Sequence, residues 1–323
     1  MNAIVYRRYG SPDVLECEEI EKPTPGDDQV LIKVRAASVN PFDWHFMRGL
    51  PYLIRIVAGV RKPKITRLGV DVAGQVEAVG RNASQFKPGD EVFGTCRGAF
   101  AEYVCASESA VVMKPRNVTF EQAASVPVAS GTALQGLRDG GKIQRGQSVL
   151  INGAAGGVGT FAVQIAKSFG AEVTGVCSTR NVEMVRSIGA DRVIDYTQED
   201  FTKGTQRYDL IFDNVGNHSL SAFKRGLNPQ GIHIMVGGPT GRWMIGPIAL
   251  AIAAPVLSRF SSRKMVAVLA KESKEDLTIM RDLMAAGRVT PVIDKRYRLS
   301  KVPEAIRYLE EGHARGKVVI TLE

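Results

Sequence analysis

The feature that most constrains the fold is a glycine-rich loop, Gly153-Ala154-Ala155-Gly156-Gly157-Val158-Gly159, set directly between two regular segments. Residues 148–152 before it are a short apolar run typical of a buried strand, and residues 160–169 after it have the apolar spacing of an amphipathic helix. This order is typical of a dinucleotide fingerprint, because a loop without side chains lets the backbone approach a pyrophosphate at a helix N-terminus. We therefore predict that residues 154–159 contact a dinucleotide.

The end of the next predicted strand indicates which nicotinamide cofactor binds. An Asp or Glu about 20 residues after the fingerprint grips the ribose of NAD. This chain instead has Ser178, Thr179 and Arg180 there. Two hydroxyls and a guanidinium suit a 2′-phosphate, so we predict NADPH rather than NADH. Tyr196 ends the third strand, where it either packs near the adenosine or is simply a strand-end aromatic residue.

The order of predicted strands and helices indicates an α/β fold with a β-rich first third. Residues 28–39 and 69–80 alternate apolar and polar positions, as half-buried strands do. From about residue 120, strands and helices alternate, which predicts a parallel sheet with right-handed crossovers. The final strand, 316–322, has no partner in that half, and we expect it to return to the N-terminal strands.

Composition excludes several classes of protein. The net charge of +9 comes from 42 Lys and Arg against 33 Asp and Glu, but these residues are scattered without base-stacking aromatics, so we expect no nucleic-acid partner. The four cysteines have no C-x-x-C spacing, and the N-terminus has no secretory signal, so we expect a cytoplasmic protein. The sequence has no H-E-x-x-H and no G-x-S-x-G motif, so we expect neither metal chemistry nor a hydrolase.

Two late segments suggest contacts beyond a single chain. Residues 245–257 are apolar throughout but shorter than the roughly 20 residues that cross a bilayer. They are interpreted as a buried segment or lid, with a membrane-surface or subunit contact as the alternative. Residues 264–269 resemble a strand at a sheet edge, and exposed edges tend to be paired, so we expect a homodimer.

Several motifs together resemble one known family. They lie at residues 38–43, 68–74, 86–92, 98–103, 153–159, 187–191 and 316–319, in family order along nearly the whole chain. The chain is similar to zinc-free medium-chain dehydrogenases/reductases of the quinone oxidoreductase (zeta-crystallin-like) branch. The resemblance implies a doubly wound Rossmann domain, residues 126–270, inserted in a GroES-like catalytic domain made of residues 1–125 and 271–323.

The resemblance also implies roles for individual residues. Zinc-dependent relatives carry a ligand Cys near position 38 and a ligand His near position 70, and both are missing here. Asn40 is expected near the nicotinamide and the substrate carbonyl, and Asp43 is expected to orient the loop that contains Asn40. Many relatives have a Tyr near position 45, and this chain has Trp44-His45-Phe46 there instead. The remaining cofactor contacts implied are Thr132, Val215, Val236, Gly237 and Lys317, with solvent exposure as the alternative for Lys317.

The expected activity is hydride transfer from NADPH to a quinone or an α,β-unsaturated carbonyl, with the proton coming from solvent or a bound water. Two alternatives stay open at this point. An enoyl-thioester reductase would use the apolar run 245–257 to line an acyl channel. An NADPH-binding structural or regulatory protein would bind the cofactor with little turnover.

Overall fold

A computed structural model describes residues 1–237 and 263–322 and divides the chain into two compact units. The first unit contains residues 1–131 and the segment from residue 272 onwards, and the second contains residues 132–271. The family resemblance predicted these boundaries after residues 125 and 270. The first boundary lies later because the helix that begins at Pro127 starts in the first unit, where the Val128 N–H donates to Asp71 Oδ1 (3.0 Å).

The strands of the described residues follow one another in chain order. They are β1 Asn2–Val5, β2 Glu16–Glu19, β3 Gln29–Val39, β4 Asp71–Val79, β5 Glu91–Thr95, β6 Tyr103–Ser107, β7 Val111–Met113, β8 Ser148–Asn152, β9 Glu172–Cys177, β10 Arg192–Asp195, β11 Tyr208–Asp213, β12 Leu227–Met235, β13 Lys264–Ala267, β14 Ile293–Arg298 and β15 Lys317–Thr321.

The helices of the same residues are mostly short. They are α1 Pro41–Arg48, α2 Ile54–Ala58, α3 Phe120–Ala124, α4 Pro127–Gln135, α5 Gly157–Ser168, α6 Val182–Ser187, α7 Leu220–Gly226, α8 Lys274–Ala285 and α9 Val302–Glu310. The sequence predicted one helical stretch over residues 120–137. It divides into α3 and α4 because Pro127 cannot continue a helix but fits well at the start of one.

The second unit is built on a six-stranded parallel sheet. Its strand order is β10-β9-β8-β11-β12-β13, so the order reverses between β8 and β11. Residues Val149, Leu150 and Ile151 of β8 are fully buried, as expected for a central strand covered on both faces. Ligands of doubly wound sheets bind outside the carboxyl ends of the strands at such a reversal.

The first unit contains a seven-stranded sheet that includes the C-terminal strand. Its order is β14-β15-β3-β4-β5-β7, with β6 pairing with β3. Strand β15 runs antiparallel to β3, with Val318 opposite Val39 and Ile320 opposite Ala37. The prediction that the last strand returns to the N-terminal strands is confirmed. This pairing places Lys317, at the start of β15, beside the end of β3.

The two segments predicted to make further contacts have different outcomes. Residues 245–257 lie outside the described residues. The predicted strand 264–269 is observed as β13, Lys264–Ala267, and it is the last strand at one edge of the six-stranded sheet. In the described part of the chain, no helix is both long enough and apolar enough to cross a membrane.

Candidate functional site

A buried polar cluster lies in the first unit where β3 ends and β4 and β15 begin. Asp71 accepts hydrogen bonds at Oδ2 from Ser38 Oγ (2.7 Å) and from Asn40 Nδ2 (2.9 Å). The Lys317 ammonium donates to Asn40 Oδ1 (2.6 Å) and lies 3.6 Å from Asp71 Oδ2. Ser38, Asn40, Asp71 and Lys317 are each at most 3% exposed. The register of the three strands therefore assembles an ammonium, a carboxylate and an amide away from water.

The cluster fixes the orientation of the Asn40 amide. Its oxygen accepts from Lys317, and its nitrogen donates to Asp71 and, at 3.4 Å, to the Ser38 carbonyl. The family resemblance placed Asn40 near the substrate carbonyl, where an amide N–H can donate to the substrate oxygen. In the structure the amide donors are instead directed into the cluster, because the buried Asp71 carboxylate is the stronger acceptor.

Lys317 is held in this cluster by its position in β15. The sequence left open whether its side chain reaches a cofactor or faces solvent, and the solvent alternative is wrong because only 3% of the residue is exposed. Burial lowers the pKa of Lys317, and the nearby Asp71 and Asp43 carboxylates oppose that shift. A buried ammonium needs such partners, since an unpaired buried charge is very costly.

Asp43 connects the start of α1 to the loop before β4. Its Oδ2 accepts from the Asn40 N–H (2.8 Å), and its Oδ1 accepts from the Gly69 N–H (2.9 Å). The carboxyl group is fully buried, and burial raises its pKa to about 7, although both backbone hydrogen bonds act in the opposite direction. These contacts support the expected orienting role, because Asp43 fixes the backbone of Asn40.

Trp44 follows Asp43 in α1 but contacts a different set of groups. It is partly buried against the apolar core of the first unit, and its ring stacks on His45 with the centroids 3.6 Å apart. Asp71 and Ser38, which the sequence analysis did not assign to the site, have the closer contacts with Asn40. A charged residue within the strand pattern Val70-Asp71-Val72 was the signal for Asp71, because a carboxylate flanked by apolar residues in a strand needs buried partners.

The glycine loop of the second unit connects β8 to α5 as the sequence predicted, and its backbone suits a pyrophosphate. A side chain on Gly159 would bring its Cβ within 2.1 Å of the Gly153 carbonyl oxygen, so the loop closes tightly only with glycine there. A Cβ on Gly156 would meet nothing nearer than 3.5 Å, so the space beside that residue is open. Gly156 also precedes α5 with no side chain to cap it, which leaves the first N–H groups of the helix available to an anion.

Val215, Val236 and Gly237 lie at the same carboxyl edge of the sheet as this loop. Asp213, at the end of β11, accepts from Val215 N (3.1 Å) and Asn152 Nδ2 (2.8 Å), and its backbone oxygen accepts from Val236 N (2.9 Å) and Gly237 N (3.2 Å). Val215 is 41% exposed. This edge therefore presents three of the predicted cofactor contacts around one buried carboxylate.

The Asp213 carboxylate also has a partner at its other oxygen. Its Oδ2 lies 3.3 Å from His233 Nε2, and the His233 ring stacks on Phe223. Burial acts to raise the pKa of Asp213, but the His233 and Gly216 hydrogen bonds outweigh it and hold that pKa below its usual range. Neither Asp213 nor His233 was predicted from the sequence, since neither lies in a motif of known function.

The predicted adenosine contacts surround the end of β9. Ser178, Thr179 and Arg180 follow that strand directly, Thr179 and Arg180 are exposed, and Tyr196 is 59% exposed after β10. Asp195, absent from the predicted site, is also here, and its Oδ2 accepts from Thr179 Oγ1 (2.6 Å). Thr132, the remaining predicted cofactor contact, is half-buried in α4, which precedes all of these strands in the chain.

In residues 1–237 and 263–322, no group of three His, Cys, Asp or Glu side chains is arranged to hold a metal ion. Ser38 donates to Asp71 within the Asn40 cluster, and position 70, directly before Asp71, is a valine.

Comparisons with known proteins agree with this architecture. Residues 26–116 match the family described as alcohol dehydrogenase GroES-like domain, and residues 188–320 match the family described as zinc-binding dehydrogenase. The chain is a two-part medium-chain dehydrogenase/reductase with a GroES-like and a Rossmann portion. It belongs to the quinone oxidoreductase branch of that family.

Individual relatives match over nearly the full chain. The chloroplast envelope quinone oxidoreductase homolog of Arabidopsis thaliana is 33% identical over 99% of this chain and 98% of its own length. The NADPH-dependent alkenal/one oxidoreductase, chloroplastic, of the same plant is 34% identical over 99% of this chain and 79% of its own length. The solved quinone oxidoreductase of Coxiella burnetii is 31% identical with a TM-score of 0.87, covering 100% of this chain and 99% of that one.

The raised pKa of Asp43 has a measurable consequence for stability. The folded-state pKa of about 7 exceeds the value of 3.8 for an unperturbed Asp, so the folded protein binds more protons between those values. The contribution of Asp43 to the free energy of unfolding therefore falls as the pH rises from about 4 to about 7. We expect the native protein to lose stability relative to an Asp43→Asn variant across that range, in urea unfolding at a series of pH values.

Asp213→Asn is the matched comparison, because Asp213 is equally buried but its pKa is lowered. We expect the free energy of unfolding of the native protein to increase relative to that of Asp213→Asn as the pH rises through the acidic range. If the native protein also gains on Asp43→Asn as the pH rises, the backbone hydrogen bonds outweigh burial and the assignment for Asp43 is wrong.

Proposed function

We propose that this protein is an NADPH-dependent, zinc-independent oxidoreductase that transfers a hydride to a quinone or an α,β-unsaturated carbonyl. The observation that carries the proposal is the buried Asn40–Asp71–Lys317 cluster, which occupies the first unit with an amide, a carboxylate and an ammonium in place of metal ligands. Sequence similarity to a named quinone oxidoreductase homolog and to a named NADPH-dependent alkenal/one oxidoreductase supports the substrate class and the cofactor.

The second unit supplies the cofactor site in this proposal. The open space beside Gly156 and the uncapped start of α5 suit the pyrophosphate, and Ser178 and the exposed Arg180 suit the 2′-phosphate. Val215, Val236 and Gly237 form the edge at the ends of β11 and β12. When bound, NADPH supplies the hydride, and the protein supplies orientation and electrostatics.

The cluster in the first unit controls charge near the acceptor in this proposal. Negative charge develops on the acceptor oxygen as hydride arrives, so an unbalanced carboxylate nearby would oppose the reaction. Lys317 balances Asp71 and holds the Asn40 amide, while Asp43 holds the Asn40 backbone. Lys317 and Asp43 are positioning residues here. The described residues offer no side chain that we assign as the proton donor, so solvent or a bound water delivers the proton.

The test of this function is NADPH oxidation at 340 nm with simple quinones, short enones, an enoyl-thioester and an aldehyde as acceptors. We expect turnover of quinones or enones that a metal chelator does not change. Turnover restricted to the enoyl-thioester would favour the enoyl-thioester reductase. Tight NADPH binding without turnover of any acceptor would favour a binding protein.

Replacing Gly156 with Ala separates cofactor binding from folding. The added Cβ meets no atom of the protein within 3.4 Å, and the backbone at Gly156 is extended (φ −80°, ψ 175°), which Ala adopts without strain. The methyl group fills space that a pyrophosphate needs, so we expect the NADPH dissociation constant to rise by about tenfold or more, from roughly 1.4 kcal/mol of lost binding. NADPH fluorescence titration measures this.

The control for that variant is Gly204→Ala, where the new Cβ also meets only one atom, at 3.8 Å, in a turn remote in sequence from the loop. Both variants should keep the native melting temperature. If Gly156→Ala binds NADPH as tightly as the native protein does, the pyrophosphate does not bind at this loop.

Replacing Lys317 with Met tests whether the ammonium positions the site or binds the cofactor. Loss of the charge leaves Asp71 without its cation, so we expect kcat to fall about tenfold to a hundredfold, less than the loss of a direct donor to the oxyanion costs. The NADPH dissociation constant should change little. Lys295→Met, an exposed lysine on the adjacent strand β14, is the control for loss of charge.

A different split between the parameters would contradict this role. A raised NADPH dissociation constant with unchanged kcat would return Lys317 to the cofactor-binding set implied by the family resemblance. Circular dichroism of each variant verifies that it is folded.

We also propose that the protein is a cytoplasmic homodimer. Four free thiols are typical of a reducing compartment, and strand β13 offers an edge that a second copy can pair with. Cell fractionation tests the location, and sedimentation at micromolar concentration tests the dimer. A monomer in sedimentation contradicts the pairing at β13.

A further inference from the structure

The ends of the neighbouring strands β9 and β10 bring one acidic residue beside the predicted 2′-phosphate contacts. The two strands are parallel, and Asp195 is aligned with Cys177, the residue before Ser178. Asp195 therefore lies at the same carboxyl edge as Ser178, Thr179 and Arg180. In doubly wound sheets, the residues that follow the second strand of the sheet in chain order, here β9, recognise the adenosine ribose.

The Asp195 carboxylate takes the hydroxyl hydrogen of Thr179. Thr179 Oγ1 donates to Asp195 Oδ2 at 2.6 Å, and Gln198 Nε2 donates to the same oxygen at 3.2 Å. The other oxygen, Oδ1, accepts from the N–H and the hydroxyl of Thr197, at 3.0 and 2.8 Å. A threonine has only one hydroxyl hydrogen, so Thr179 has none left for a phosphate while this bond persists.

The carboxylate is ionised at neutral pH. The hydrogen bond from Thr179, followed by those from Thr197, lowers the pKa of Asp195, although partial desolvation acts in the opposite direction. A charge-assisted bond as short as 2.6 Å is also stronger than a bond between neutral groups. Thr179 consequently presents a lone pair and a neighbouring negative charge, both of which repel a phosphate dianion.

Ser178 has the opposite arrangement. Its Oγ accepts a hydrogen bond from Asn181 Nδ2 at 3.1 Å, so its own hydrogen can be donated to an anion. Of the three groups that the sequence predicted for a 2′-phosphate, Ser178 and the exposed Arg180 are suited to it, and Thr179 is not.

We propose that Asp195 is a cofactor-specificity residue, which withholds the Thr179 hydroxyl from the ribose 2′-phosphate and so sets how far NADPH is preferred to NADH. The inference rests on the proposed function, since it concerns the same cofactor site. The absence of an acidic residue directly after β9 suggests a strong preference for NADPH. The role of Asp195 predicts that the ratio of NADPH to NADH affinity in the native protein is smaller than that absence suggests.

Asp195→Asn tests the proposal directly. The new amide nitrogen donates to Thr179 Oγ1, so the threonine hydrogen is no longer held by a carboxylate, and the negative charge is removed. The hydroxyl then has the neutral Thr197 Oγ1, at 3.1 Å, as its neighbour, and a phosphate competes with that neutral oxygen more easily than with a carboxylate. Titration by cofactor fluorescence should show NADPH binding three- to tenfold more tightly, with NADH affinity within twofold of the native value. Competition should show the same split, with 2′,5′-ADP gaining and 5′-AMP unchanged. The gain should shrink at high ionic strength, because exposed charges are screened.

Two further variants separate the two parts of the effect. Glu172→Gln removes the same charge at the opposite end of β9 and should leave the ratio of NADPH to NADH affinities unchanged. Thr179→Val combined with Asp195→Asn should lose at least half of the gain of the single variant, because the freed hydroxyl is gone. Asp195→Ser gives a second charge-free variant if Asp195→Asn does not fold.

The outcomes also separate this proposal from the proposed function. Native protein that binds neither cofactor overturns the proposed function. Native protein that binds NADPH, with an unchanged ratio of affinities in both Asp195→Asn and Asp195→Ser, overturns the role of Asp195 alone. A gain that is the same with and without Thr179→Val overturns the withheld-hydroxyl explanation.

Discussion

The buried contact between Lys317 and the Asn40–Asp71 pair is the interaction on which the first unit and its chemistry depend. It joins residues 277 positions apart, and it forms because the C-terminal strand pairs with the strand that ends just before Asn40. The cation could not remain buried without Asp71, and Asp71 could not remain buried without its donors from Ser38, Asn40 and Val128. Strand pairing and charge neutralisation therefore require each other.

The second unit uses backbone geometry instead of charge. Reversal of the strand order between β8 and β11 marks where ligands of doubly wound sheets bind, and the glycine loop after β8 leaves open space there beside Gly156. Asp213 then accepts from five donors, which lie at the end of β8, in the turn after β11 and after the end of β12. An edge held by these hydrogen bonds can orient a cofactor, which is what the proposed function requires of the second unit.

Specificity within the second unit depends on which hydrogens are already in use. Ser178 and Thr179 are adjacent and chemically alike, yet one accepts from Asn181 and the other donates to Asp195. The difference comes from the neighbouring strand β10, whose end lies beside Thr179. A list of polar side chains after β9 therefore overstates the number of donors that a phosphate can find there.

The sequence by itself determined the α/β class, the glycine loop between β8 and α5, and the return of the last strand, because these follow from local periodicity and from a strand left without a partner. It also pointed to Asn40, Asp43 and Lys317, through motifs shared with the family. It missed Asp71 as the centre of the polar cluster, and it missed Asp195 and Asp213 beside the predicted cofactor contacts. Only the tertiary structure decided those, because hydrogen-bond partners 16 to 277 residues apart are set by strand register, which no local pattern encodes.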